Sequence, residues 1–261
     1  EGTLEYKERA LLGALEDLKD YLIGQDPRLI EKHTFMMYRE SYWRTGPVLM
    51  SAISAVEMAM WDILGKSCQM PVHALLGGAV RDEIRMYANG WFAGAQTPEE
   101  FAAKARAAVA KGVRALKWDP FGAAYLTLDR RQFTQAMDCV AAVRQAVGND
   151  VDLLIEGHGR FNVDTAVRIA AALAPYEPMF FEEPVPPDSL DALAQVHRRS
   201  PVPIAAGERI YSLSQFHDFL HRGCADFFQP DVSHCGGVLA VKKMAAMAEP
   251  CYLSMAPHNP S

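Results

Sequence analysis

Between residues 5 and 23 apolar side chains recur at helical spacing (Leu11, Leu12, Leu15, Leu18, Leu22), and Gly24 supplies a stop. A weaker helical pattern covers 28–43. Gly46-Pro47 then opens a long apolar-faced helix over 47–66, ending near Gly65 and Lys66, and a short segment, 71–78, closes this region. From residue 86 the texture changes. Short apolar runs appear at Met86–Trp91, Arg114–Pro120, Val151–His158, Pro178–Val185, Pro203–Arg209, Asp226–Val232 and Cys251–His258. Helix-like stretches such as 98–110, 128–147, 163–173 and 212–221 lie between them. Strands alternating with helices in this way predict a parallel sheet with right-handed crossovers.

Alternation alone fits either a doubly wound sheet or a closed barrel. No G-x-G-x-x-G follows the first strand and no G-x-x-x-x-G-K-[ST] occurs anywhere, so a dinucleotide or nucleotide fold is a poor match. Seven consecutive units favour an α/β fold of the TIM type. The expectation is a helical region over 1–85 and a (β/α) barrel over 86–261 holding seven of eight strands. The eighth strand is expected beyond Ser261, and both ends of the natural chain are expected to lie outside this sequence.

Composition narrows the function class. With 261 residues, half of them apolar, the chain can bury a large core. A net charge of −6 with scattered Lys and Arg argues against nucleic-acid or membrane-surface binding. The apolar stretches read as too short to span a bilayer, and no signal-like segment opens the chain. The five cysteines (Cys68, Cys139, Cys224, Cys235, Cys251) are odd in number and form no C-x-x-C pair. Buried free thiols in a reducing cytoplasm account for them best.

The residues that end the strands carry the chemistry. Glu156, Glu182 and Glu208 each follow an apolar run, and each is 26 residues from the next. One βα unit per step sets three carboxylates on adjacent strands at the C-terminal mouth, where parallel barrels build active sites. Any one of them alone reads as a solvated or capping acid. Three in register would repel one another unless a cation neutralised them, and all-oxygen ligation selects a hard ion, magnesium before manganese.

The next two runs end in Asp231 and His258, 27 residues apart. An Asp beside a His orients the imidazole and raises its basicity, as a general base requires; a surface Asp and an unrelated His is the other reading of the spacing. His158 lies two residues after Glu156, and period-two alternation would send both side chains into the mouth, opposite His258. A metal ligand and a solvated loop histidine are the other readings of His158. On the second strand Lys117 and Asp119 alternate inward, Lys117 to meet a substrate carboxylate or form a salt bridge with Glu156.

Taken together, several segments resemble the mandelate racemase/muconate lactonizing enzyme branch of the enolase superfamily, most closely its galactonate dehydratase group. Ser51–Lys66 followed by 71–78 is similar to the family's capping-domain signature. Ile155–Arg160, Phe181–Pro184, Ala206–Arg209, Gln229–Gly237 and Ala256–His258 resemble its barrel motifs in order. The resemblance implies a (β/α)7β barrel with an α+β capping domain. It implies Glu156, Glu182 and Glu208 as ligands of one magnesium ion per site, and Glu183, the second acid of Glu-Glu-Pro, beside them. His258 paired with Asp231 would abstract the proton α to a carboxylate, and His158 would protonate the departing β-hydroxyl. Lys117, Asp119, Arg160 and Glu183 would face the substrate.

Asp119 stands where racemase relatives carry a second lysine, which weakens a two-base racemase reading. Glu156 stands where many relatives have Asp. The implied activity is a lyase reaction, magnesium-dependent dehydration of a sugar acid such as galactonate or gluconate to a 2-keto-3-deoxy acid. The competing expectations are racemisation, epimerisation or cycloisomerisation through the same enediolate, and a barrel that binds metal or ligand without turnover. The expected partner is a small-molecule sugar acid, with no nucleic acid and no membrane, in a homo-oligomeric cytoplasmic protein.

Overall fold

The computed structural model describes residues 2–259; the expected outer limits of the two domains, Glu1 and Ser261, lie outside the described residues. Helices come first: α1 (Glu8–Leu22), α2 (Ile30–Glu40), α3 (Pro47–Cys68) and a single turn, α4 (Val72–Leu75). After α5 (Pro98–Ala110), strands and helices alternate as β1 (Ala115–Trp118), α6 (Arg130–Val147), β2 (Asp152–Glu156) and α7 (Val163–Leu173). The alternation continues through β3 (Phe180–Glu182), α8 (Leu190–Arg199), β4 (Ile204–Ala206) and α9 (Leu213–Arg222). It ends with β5 (Phe227–Phe228), α10 (Val238–Ala248) and β6 (Ser254–Met255).

The chain falls into two compact units. One comprises Glu1–Ile84, Gly207–Leu220 and Phe228–Ser261; the other comprises Arg85–Ala206 and His221–Phe227.

In the first unit, the apolar stripes of α1, α2 and α3 bury Leu11, Leu18, Ile30, Met37, Ile53 and Met60 in one cluster. Pro47, preset for the first helical turn, starts α3, and Gln69 in a left-handed conformation (φ 55°) ends it. By length and composition α3 passes for a membrane-crossing helix, contrary to the expectation that every apolar stretch is too short. Its character comes from burial within this unit: Ser51, Ala52, Ile53, Ser54 and Glu57 are all fully buried. Glu57 accepts the Val238 and Leu239 N–H groups, both at 2.8 Å, and so caps α10. Its other contact is the Trp61 indole N–H at 2.7 Å. Farther along the unit, Phe216 and Phe228 stack at 4.0 Å between ring centroids, with Phe219 against Phe228. Gly207 packs onto that ring: a Cβ there would come within 2.5 Å of Phe228, at a φ of 133°. A side chain at Gly207 would cost about 1–3 kcal/mol in backbone strain alone.

The second unit holds the parallel strands β1 to β4 in chain order. Ala115 aligns with Asp152, Glu156 with Glu182, and Glu182 with Ala205. Ala115, Leu154, Phe180 and Ala205 form a buried cluster. The helices start where side chains can satisfy free N–H groups. Thr97 with Glu100 opens α5 and Asp129 with Gln132 opens α6, each a reciprocal capping box contributing about 1 kcal/mol. The strand expected at Met86–Trp91 is reduced to one bridge, Ala88 against Leu116. Gly90 at φ 71° turns the backbone out of the ladder directly afterwards.

Glu57 generates a prediction for stability. Burial raises its carboxyl above the ordinary 4.5, while the two backbone donors and Trp61 pull it down. A carboxyl raised in the folded state binds its proton more tightly there than in the unfolded chain. Its favourable contribution is therefore full below about 4.5 and is lost as pH rises through the folded value. In urea unfolding, Glu57→Gln is expected to remove that decline and to lower stability at neutral pH by about 1–3 kcal/mol, because an amide nitrogen would meet an N–H donor.

Candidate active site

The second unit contributes two carboxylates and a lysine. Glu156 and Glu182 end adjacent strands as direct register partners. Lys117, one strand back on β1, donates to Glu156 Oε2 at 3.0 Å and to Glu182 Oε1. All three are buried. Burial disfavours the Lys117 ammonium, but Glu182 and Glu156 outweigh it and hold it charged above its ordinary range. Burial and the neighbouring Glu156 charge push the Glu182 carboxyl well up. Burial raises Glu156 too, yet Lys117 prevails and holds it low. Glu182 Oε2 is buried without a hydrogen-bond partner.

The turn after β2 delivers His158. The strand stops at Glu156, Gly157 N–H donates to Glu182 O at 2.8 Å, and a Cβ at Gly157 would sit 2.8 Å from Glu183 O. His158 takes a left-handed conformation (φ 52°), so a turn rather than strand alternation aims it. Glu156 Oε1 accepts the His158 N–H at 2.7 Å, while the imidazole projects outward, 57% exposed. Nδ1 lies 2.6 Å from Asp119 Oδ2. Asp119 is tied down further by Arg160 Nη2 at 2.6 Å on the same oxygen and by the Phe121 N–H at 2.8 Å on Oδ1. Asp119 and Arg160, expected against substrate, also bond internally: Asp119 orients His158 and Arg160 anchors Asp119. The Asp119 hydrogen bond raises the His158 pKa; burial opposes and Glu156 assists. Glu183, buried at φ 42°, joins the ladder by donating its N–H to Ala205 O at 2.9 Å.

The first unit contributes Glu208, Asp231 and His258. Asp231 and His258 form a parallel bridge, with His258 N–H donating to Pro230 O at 3.1 Å. His258 Nδ1 lies 2.8 Å from buried Asp231 Oδ2, and its Nε2 lies 3.3 Å from Glu208 Oε2. Glu208 Oε1 is 3.6 Å from Arg209 Nε. The two ring nitrogens of His258 thus each face a carboxylate, Asp231 at Nδ1 and Glu208 at Nε2. Behind Asp231 stand two residues that the strand-end reading overlooked, His234 and Ser51, joined at 2.9 Å. Their signal was present in the sequence as polar residues every third position of an apolar helix (Ser51, Ser54, Glu57).

Residues 100–261 match the family described as enolase C-terminal domain-like, and residues 1–77 match the mandelate racemase/muconate lactonizing enzyme N-terminal domain. The chain belongs to the enolase superfamily. Within the superfamily it is 38% identical over 250 residues to D-gluconate dehydratase of Thermoproteus tenax, covering 95% of this chain and 50% of that protein. It is 38% identical over 260 residues to D-galactonate dehydratase of Ralstonia nicotianae, covering 100% of this chain and 67% of that protein. The chain thus spans half to two thirds of the length of these relatives. A crystal structure of an enolase superfamily member from Salmonella Typhimurium matches with a TM-score of 0.94 at 32% identity, over 98% of this chain and 71% of that one. A mandelate racemase/muconate lactonizing enzyme-like protein from Rubrobacter xylanophilus matches with a TM-score of 0.91 at 33% identity, over 100% and 72%. The α/β barrel class expected from the sequence is the fold of this superfamily.

Lys117 bonds both Glu156 and Glu182, and its removal takes that positive charge from between two buried acids. Lys117→Met is expected to lower stability by about 3 kcal/mol or more in urea unfolding without divalent metal. An unchanged unfolding midpoint would contradict the electrostatic account.

Proposed function

We propose that this chain carries the catalytic barrel of a magnesium-dependent sugar-acid dehydratase, a hydro-lyase converting an aldonate such as gluconate or galactonate to a 2-keto-3-deoxy acid. On this reading residues 1–85 belong to the capping domain and 86–261 to the barrel. The observation that carries it is the pairing of two differently built histidines with carboxylates at the strand ends of an enolase-superfamily chain. The dehydratase relatives supply the reaction class.

Glu156, Glu182 and Glu208 are the residues that would hold the ion. The donor set is all oxygen, which suits a hard cation, and the unpartnered buried Oε2 of Glu182 is an acceptor awaiting one. The three acids recur at one interval, and two of them are in direct register. When bound, magnesium stabilises the negative charge that gathers on a substrate carboxylate as its α-proton leaves.

The protein's own groups move the protons. His258 takes the α-proton at Nε2, while Asp231 holds Nδ1–H and stabilises the imidazolium. His158, whose pKa the Asp119 hydrogen bond raises, delivers a proton to the β-hydroxyl, which departs as water. The resulting enol tautomerises to the 2-keto acid. Lys117 donates to both buried acids and holds the Glu156 carboxyl low. A small-molecule acid as partner, self-association into homo-oligomers and a cytoplasmic setting complete the proposal.

The test uses the full-length protein with magnesium and D-gluconate or D-galactonate, scored for 2-keto acid. Chelation is expected to abolish turnover, and magnesium at a hundredfold excess over its Kd to stabilise the fold by about 2.7 kcal/mol. Glu182→Gln is expected to lose that stabilisation. His258→Asn is expected to abolish both turnover and α-proton exchange with deuterated solvent. His158→Asn is expected to keep exchange and lose dehydration by about 10²–10⁴-fold. Exchange that survives His258→Asn, or turnover that survives chelation, would overturn the assignment.

A further inference from the structure

Within the first unit, α3 reaches the loop after β5 with three buried polar side chains spaced three residues apart. Ser51 Oγ lies 2.9 Å from His234 Nδ1, Ser54 Oγ accepts the Gly236 N–H at 2.9 Å, and Glu57 accepts the Val238 and Leu239 N–H groups. The opposite edge of His234 faces two acids, with Nε2 at 3.7 Å from Asp231 Oδ2 and 3.6 Å from Glu5 Oε2. Asp231 Oδ2 is the same oxygen that faces His258 Nδ1, and Oδ1 accepts the Ser233 N–H at 2.7 Å. Ser51, His234 and Asp231 are all buried.

We propose that Ser51 and His234 are positioning residues that hold Asp231, and through it His258, in the orientation that removes the α-proton. This rests on His258 being the base. A neutral imidazole has one donor and one acceptor nitrogen. Nε2 faces the buried Asp231 carboxylate and the exposed Glu5 carboxylate, so a lone pair there would be repelled; Nε2 carries the hydrogen. Nδ1 is then the acceptor, and the Ser51 hydroxyl donates to it. Ser51 thereby selects the tautomer of His234. At 3.7 Å the Nε2–H edge is too far for a direct hydrogen bond, but it presents a positive edge to the oxygen that grips His258. Asp231 loses electrostatic energy if it swings away from that edge. Ser54 and Glu57 hold the backbone beyond, so the loop carrying His234 cannot slide.

The tautomer is read directly. In the full-length protein with magnesium and ¹⁵N-labelled histidine, long-range ¹H–¹⁵N spectra are expected to show the His234 hydrogen on Nε2. Ser51→Ala is expected to erase that preference and to lower kcat on D-gluconate about tenfold, with KM within about twofold. Ser51→Thr, which keeps the hydroxyl, is expected to restore both. Ser54→Ala removes the acceptor of the Gly236 N–H and the donor to Met50 O but keeps the Ser51 hydroxyl, and is expected to lower the melting temperature while leaving the His234 hydrogen on Nε2. A hydrogen on Nδ1 of His234, or an unchanged kcat in Ser51→Ala, would overturn the proposal. α-Proton exchange persisting in His258→Asn would instead remove the base assignment and leave the tautomer result standing. Absence of turnover by the unmodified protein would count against the dehydratase reading alone.

Discussion

Two carboxylates forced side by side at the ends of neighbouring strands are the constraint from which the rest of the site follows. The β2–β3 register leaves Glu156 and Glu182 no freedom to separate, and both are buried. Like charges in that setting raise one pKa strongly unless cations intervene. Lys117 compensates one charge and leaves an acceptor oxygen over. That oxygen is the acceptor on which the proposed cation site rests.

The strand-end acids were legible because their signal is periodic: one carboxylate per βα unit at constant spacing. Asp231 and His258 were legible for the same reason, and the structure pairs them. Other features depend on backbone conformation, which period-two reasoning ignores. His158 was expected to point inward by alternation, but the strand has ended and a left-handed residue between glycines sets its direction. The strand expected at Met86–Trp91 dissolves because a turn at Gly90 leaves one residue to pair. Asp119 and Arg160 sit where a substrate contact was expected, and their internal bonds became visible only with coordinates. The long apolar look of α3 hid its polar stripe, because serines among alanines hardly alter a hydropathy average.

The two histidines sit in different surroundings. His258 is half-buried, its Nδ1 fixed by an acid that is fully buried. His158 stands mostly exposed, with a raised pKa maintained by an acid that an arginine also holds. Two histidines of one chain are thus separated by environment, not by residue type.

The stripe of Ser51, Ser54 and Glu57 has an evolutionary corollary. In a helix each residue advances the azimuth by about 100°, so adding or deleting one residue between Ser51 and Glu57 would swing Glu57 off the start of α10. No local rearrangement recovers that loss, since the three partners follow one another along a single loop. The length of this stretch of α3 is therefore frozen. Insertions and deletions among relatives should therefore spare residues 51–57 and accumulate elsewhere.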